Sequence, residues 1–206
     1  MISFKEYISE QQRSILGTLN IFDIDDTLFH TTAKIQIMNN GKVVRELSNR
    51  EYNTYVLKSG ESYEYSQFRD AEKFRHESMP IDRMINKAKI IINRQRSPLS
   101  KTIIITARAN FDKKDVFLQK FKDHGFPIDD VYVERAGNIP GNQLPADKKV
   151  MIISNYLDTN NYVKVRLFDD SMANLKAFLS MGTNYSSIEF EAYLANEDGT
   201  VKTIRA

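Results

Sequence analysis

The sequence predicts an α/β fold, a parallel sheet with helices on both faces, and three observations carry that expectation. Short apolar runs (Leu19 to Phe22, Lys101 to Thr106, Val163 to Phe168) alternate with longer stretches of helical periodicity. The runs lack the in-out alternation of a half-exposed strand, so they belong to strands buried on both sides. Each ends in a polar residue able to do chemistry, Asp23, Thr106 or Asp169, and in a parallel sheet such ends share one edge, where ligands bind.

Composition sets the outer limits. A chain of 206 residues has room for one domain with a small insertion. With 41% hydrophobic and 27% charged residues and a mean hydropathy of −0.46, it reads as a soluble globule. No apolar run approaches the roughly 20 residues that span a bilayer, so no membrane partner is expected. The formal charge of +2 gives no bulk cationic field for nucleic acid, and any polyanion contact must be local. Zero cysteines exclude disulfides, thiol nucleophiles and thiolate metal sites, and suit a reducing compartment. Three scattered histidines, His30, His76 and His124, make no zinc-protease motif.

Taken in order, residues 1–14 predict a leader or a short surface helix. Leu19 to Phe22 is the first core strand. Residues 31–79 change composition, with Asn40-Gly41 as a hairpin turn between Ile35-Ile37 and Val43-Val44, and predict a β-rich flap inserted after that strand. Residues 15–30 and 80–206 then form the core. Pro80 is expected in the first turn of a helix burying Ile81, Met84, Ile85, Ala88 and Ile92. The strand Lys101 to Thr106 follows, then a helix from Lys113 to His124 stopped by Gly125. A short strand over Asp130 to Val133, a loop from Gly137 to Pro145, a helix from Ala146 to Leu157, the strand Val163 to Phe168 and a helix through Met181 complete the alternation. Ser187 to Ala195 and Thr200 to Ile204 form a closing hairpin. The whole predicts a Rossmann-like sheet.

The sharpest local feature is Asp23-Ile24-Asp25-Asp26-Thr27, three carboxylates in four positions at the exit of a buried strand. Like charges so close demand protons or a cation, and a hard divalent ion with oxygen ligands satisfies them. The competing expectation is a set of acids capping a helix that begins near Thr27. Against it stands a second acidic pair, Asp169-Asp170, about 145 residues on and also at a strand end. Two clusters on one sheet edge converge.

These residues carry a family resemblance. Asp-x-Asp-x-Thr after the first strand, a strand ending in Thr106, a lysine near a helix start and a strand ending in Asp-Asp together resemble the haloacid dehalogenase superfamily of phosphotransferases, over Asp23 to Asn174. The resemblance implies an HAD-like core and a phosphatase that uses Asp23 as nucleophile, giving an aspartyl-phosphate. Asp25 would be the general acid, then the base, with its backbone carbonyl on Mg²⁺. Thr106 would bind phosphoryl oxygens, and Lys149 would neutralise their charge. Lys149 is preferred to Lys148 because Ile152, Ile153 and Leu157 share its helix face. The implied metal set is Asp23, Asp25, Asp170 and Asp169, with Asp169 orienting water or the lysine. Asn174 stands where many relatives carry Asp, and Asp26 is expected to be solvated or helix-capping.

Substrate contacts are expected from Thr27, Arg108, Arg135 and Lys148. Arg108 would fork onto a phosphate or pair with a nearby acid. Thr106-x-Arg108 with Asp169-Asp170 is similar to the phosphatase domain of phage polynucleotide kinase-phosphatases, which removes 3′ phosphates. The implied partner is therefore a phosphorylated small molecule or a phosphorylated nucleic-acid end. Tyr52, Tyr55, Tyr63, Tyr65 and Phe68 would stack on a base or build the flap's own core. Met1 to Glu10, ending in Ile8-Ser9-Glu10, resembles the capsid-targeting leaders of tailed-phage head proteins. It implies a phage protein, in the host cytoplasm or packaged into a head, and supports the alternative of a non-enzymatic head or assembly protein.

Overall fold

The computed structural model describes residues 15–52, 54–95 and 97–205; the expected leader lies outside them. Strand β1 (Gly17–Phe22) has five of its six residues buried, and a strand apolar on both sides must be covered twice. It leads into β2 (Phe29–His30), the strands β3 (Ile35–Asn39) and β4 (Lys42–Leu47), the single turn α1 (Asn49–Tyr52), β5 (Glu61–Glu64), helix α2 (Ala71–Glu77), β6 (Met79–Pro80) and helix α3 (Asp82–Asn93). Strand and helix then alternate: β7 (Lys101–Thr106), α4 (Lys114–Asp123), β8 (Tyr132–Arg135), α5 (Pro145–Leu157), β9 (Tyr162–Asp169), α6 (Met172–Ser180), β10 (Glu189–Ala195) and β11 (Val201–Ile204).

The result is a mixed α/β structure around a six-stranded sheet of order β11-β10-β9-β1-β7-β8. All of its pairings are parallel except β10 with β11. Alternate residues of each strand point to opposite faces, which splits the core in two. Phe22, Ile104 and Phe168 pack with α2, α3 and α4 through Phe74, Met84, Ile85 and Phe121. Leu19, Ile21, Ile103, Ile105, Val165 and Leu167 pack with α5 and α6 through Ile152, Ile153, Leu157, Leu175 and Phe178. Phe22 and Phe168 stack with ring centroids 4.5 Å apart. Each precedes an acid, so this contact fixes the bases of Asp23 and Asp169 side by side.

Between β1 and β7 lies a three-stranded antiparallel sheet, β4-β3-β5. Its hairpin turns on Asn40 and Gly41, both at positive φ (48° and 75°), as a two-residue type I′ loop requires. Its core is its own: Ala33, Ile35, Ile37, Leu47 and Phe68, with Tyr52, Tyr55, Leu57 and Tyr63 against them. Four of the five aromatics weighed as base-stacking residues therefore serve this packing. Tyr65 is exposed, and its hydroxyl meets that of Tyr52 at 3.1 Å.

Three expectations need correction. Pro80 does not open a helix; it pairs with Phe29 in the β2–β6 ladder, and α3 starts at Asp82, after Ile81. Asp130 ends a 3₁₀ turn over Ile128–Asp130, which places β8 two residues later. Helix α2, inside the 31–79 segment, belongs to the main core, where Ala71 and Phe74 are buried. Its C-terminal end is held by Lys120 Nζ, which donates to the carbonyls of Arg75 and Ser78. The small sheet's own core stops at Phe68. Among the described residues no helix is long and apolar enough to cross a membrane.

Candidate active site

Three adjacent strand ends build the site. In the ladder, Phe22 lies level with Phe168 on one side and Ile104 on the other, so the chain leaves β1 as Asp23 beside Asp169, with Thr106 across. The Asp23 amide donates to the Phe168 carbonyl at 3.0 Å. Asp23, Asp169 and Asp170 bring carboxylate oxygens within 4.8 Å of one another. From α5, Lys149 Nζ donates to Asp23 Oδ1 at 2.6 Å and to Asp169 Oδ2 at 2.8 Å. It is buried, on the same helix face as Ile152, Ile153 and Leu157.

The electrostatics are unbalanced. Three carboxylates face one ammonium, and the two residual negative charges equal what a single divalent cation cancels. Burial, only partly offset by Lys149, together with repulsion from Asp169 and Asp25, pushes Asp23 up to about 7. Burial and the charges of Asp169 and Asp23 push Asp170 to about 9. Burial alone would lower Lys149, but Asp169 and Asp23 hold it above the ordinary lysine range. Asp169 accepts from Lys149, from the Ser171 amide at 2.9 Å and from Asn174 Nδ2 at 2.9 and 3.0 Å. These three donors hold Asp169 in place, so it anchors the lysine while its carboxylate remains part of the acidic cluster. No hydrogen bond among the described residues reaches the Asp170 carboxylate. Asp23 and Asp170 thus fit a hard divalent ion through oxygen donors.

Asp25 turns away from this cluster. Its carboxylate takes a bidentate pair from Arg108, Nε at 2.9 Å and Nη2 at 2.6 Å. Of the two expectations for Arg108, the ion pair is the one the geometry shows. The expected contribution of Asp25 to a metal is therefore confined to its backbone carbonyl. Thr106 is buried, and its Oγ accepts the Arg108 amide at 3.1 Å, which leaves the hydroxyl proton free to donate.

Other expected residues are placed differently. Thr27 is corrected as a substrate contact: the Ile24 carbonyl accepts the amides of Thr27, Leu28 and Phe29, and this turn carries Thr27 inside, fully buried, its hydroxyl unpartnered. The same turn, with Asp26 at φ 58°, replaces the helix that Asp26 would have capped. Asp26 instead accepts from Asn49 Nδ2 at 2.9 Å, and burial raises its pKa. Lys148 is a loop tether, donating to the Ile139 carbonyl at 2.7 Å. Arg135 is exposed, level with Thr106 in the ladder. Gly137 braces the loop beside it: a Cβ there would lie 2.5–2.7 Å from the Ala107–Ala109 backbone, so only glycine fits. Sequence reading missed Thr31 and Asn49, polar side chains that meet Arg108 and Asp26, for want of any local signal.

The chain matches no protein-family model and no curated protein at a significant level.

Proposed function

We propose that the protein is a Mg²⁺-dependent phosphomonoester hydrolase that works through an aspartyl-phosphate on Asp23. The observation that supports it most is the convergence of Asp23, Asp169 and Asp170 from neighbouring strand ends around buried Lys149. A structural ion pair needs one acid; three acids and one lysine leave a net negative charge that a bound divalent cation would cancel, so that an anionic phosphoryl group could enter. The small sheet beside the site would be a flap of the haloacid dehalogenase type.

In this reading one Asp23 oxygen is held by Lys149 and the other attacks phosphorus, breaking the bond to the ester oxygen. Asp25, ion-paired to Arg108, takes the proton that a phosphate monoanion brings, passes it to that departing oxygen, and then takes one from the water that cleaves the aspartyl-phosphate. Thr106 donates its hydroxyl to a phosphoryl oxygen, and Lys149 offsets the negative charge that builds there. Asp23 and Asp170 would hold Mg²⁺, which supplies further neutralisation of the phosphoryl oxygens.

The test is a panel of aryl and alkyl phosphates with a 3′-phosphorylated oligonucleotide, run with Mg²⁺ and with chelator. Wild type should turn over at least one member, and Asp23→Asn should lower kcat by about 10⁴-fold or more. Preference for the oligonucleotide would define an end-processing enzyme. Activity retained by Asp23→Asn would remove the nucleophile, and an inert wild type would leave a binding or assembly role.

A further inference from the structure

Among the described residues Arg108 is held on every side, and a phosphate ligand has no need of such constraint. Its side chain is 1% exposed. Its guanidinium carbon lies 4.9 Å from the ring centres of Phe68 and Phe74 and 5.3 Å from that of Phe111, a cage that holds a planar cation. Two N–H groups fork onto Asp25. Nη1 donates to the Phe68 carbonyl at 2.9 Å and Nη2 to Thr31 Oγ at 2.9 Å. Thr31 and Phe68 bracket the small sheet, the one before its first strand and the other at the end of its core. A seam continues from there: the Asp112 amide donates to the Arg69 carbonyl at 3.0 Å, and the Ala71 amide to Asp112 Oδ1 at 2.9 Å.

We propose that Arg108 is a positioning residue for Asp25, not a substrate ligand, and that the small sheet, seated on Arg108 through Thr31 and Phe68, sets the orientation of that acid. A carboxylic acid can protonate a leaving oxygen only along its own lone-pair direction. The bidentate fork fixes that direction, the aromatic cage fixes the fork, and the two sheet contacts fix its rotation. The Lys149 ammonium, by contrast, is a point charge that tolerates movement of Asp23 towards phosphorus. This proposal rests on the phosphatase reading and adds a role for the small sheet in proton transfer.

Leaving groups separate the possibilities. In phosphoryl transfer to Asp23 the P–O bond breaks, and the proton that Asp25 has taken from the phosphate monoanion moves to the departing oxygen; an aryl oxide departs without much help, whereas an alkoxide needs the proton. Arg108→Lys should therefore lower kcat/KM for an alkyl phosphate by about 10²-fold or more while changing the aryl value by less than about tenfold, the same discrimination expected of Asp25→Asn. Inhibition by inorganic phosphate should keep its wild-type strength. Thr31→Val keeps Arg108 and the fork, and should show the same discrimination at a few-fold level, which guards against misfolding of the lysine variant. Equal losses on both esters with weakened phosphate inhibition would make Arg108 a phosphate ligand and overturn the proposal. A wild type inert on both esters fails the phosphatase reading instead. The seating is then read by amide exchange over residues 68–71, which should quicken in Arg108→Lys, and unchanged exchange would overturn it.

Discussion

The six-stranded and three-stranded sheets are built from similar residues and do different work. In the large sheet, β1 and β7 are sealed on both faces, and Lys149, Asp169 and Asp23 sit at 0–5% exposure on top of that packing. In the small sheet, five buried residues suffice, and the edge strand β4 leaves Val43 and Val44 at 47% and 55% exposure. Burying charge is costly unless it is paired, and only the large sheet has a core deep enough to hold an unbalanced acid cluster. The small sheet touches the chemistry through side contacts, Asn49 on Asp26 and the Thr31 and Phe68 contacts to Arg108. The charges belong to one sheet, and the other contacts them from the side.

The largest effect should come from removing the cation on which the buried cluster depends. Lys149→Met leaves Asp23 and Asp169 without their shared partner, and breaking such a pair costs about 3–5 kcal/mol. Metal-free denaturant titration measures it. A loss under about 1 kcal/mol would mean that water reaches these acids, and the contrast between the sheets would narrow.

Next in size is the coupling of pH to metal. Asp23 and Asp170 are raised, to about 7 and about 9, from an ordinary carboxyl value of 3.8. The folded state therefore holds protons that the unfolded state has released, and metal-free stability should fall as pH rises from about 4 to about 9. The two carboxyls titrate as a coupled system, so the decline should be broad. Mg²⁺ competes with those protons, so its stabilisation should grow over the same window. At a hundredfold excess over Kd it is worth about 2.7 kcal/mol, or roughly 5–10 °C in Tm for a domain of this size. Asp170→Asn should abolish the Mg²⁺ shift. Thermal melts from pH 5 to 9 with chelator and with Mg²⁺ check both, and a shift that survives in Asp170→Asn would place the ion elsewhere.

The same division explains what was legible in the sequence. Buried parallel strands advertise themselves as unbroken apolar runs, and the residue that ends each run is by construction at the site. Asp23, Thr106, Asp169 and Asp170 could be picked out on that ground. Lys149 was separable from Lys148 by its helix face. Residues that act across the seam left no such trace. Helix α2 offers only Ala71 and Phe74 to the core among charged neighbours, too few for a period to show. The partnership of Arg108 with Asp25 spans 83 positions, so the ion pair and the phosphate fork stayed equally open until both chains of contacts were placed. Thr27, expected as a substrate contact, lies inside for a local reason: three amides converging on the Ile24 carbonyl make a turn that carries its side chain into the core.

The smallest effect sharpens the comparison most. Asn49→Ala removes the hydrogen bond from α1 to Asp26 and leaves the Arg108 cage and Lys149 intact. One partly buried hydrogen bond is worth about 0.5–1.5 kcal/mol, and Asp26 makes no bond to Lys149 or Arg108. Stability should fall by that amount and turnover should change by less than about threefold, since 0.6 kcal/mol in a barrier is about that factor. Set beside Thr31→Val, which removes a contact of similar size but on the Arg108 side, the variant asks whether any loosening of the small sheet slows the reaction or only loosening that reaches Asp25. Equal behaviour of the two variants on an alkyl phosphate would make the small sheet a general lid. A selective loss in Thr31→Val would keep its influence on the single path through Arg108.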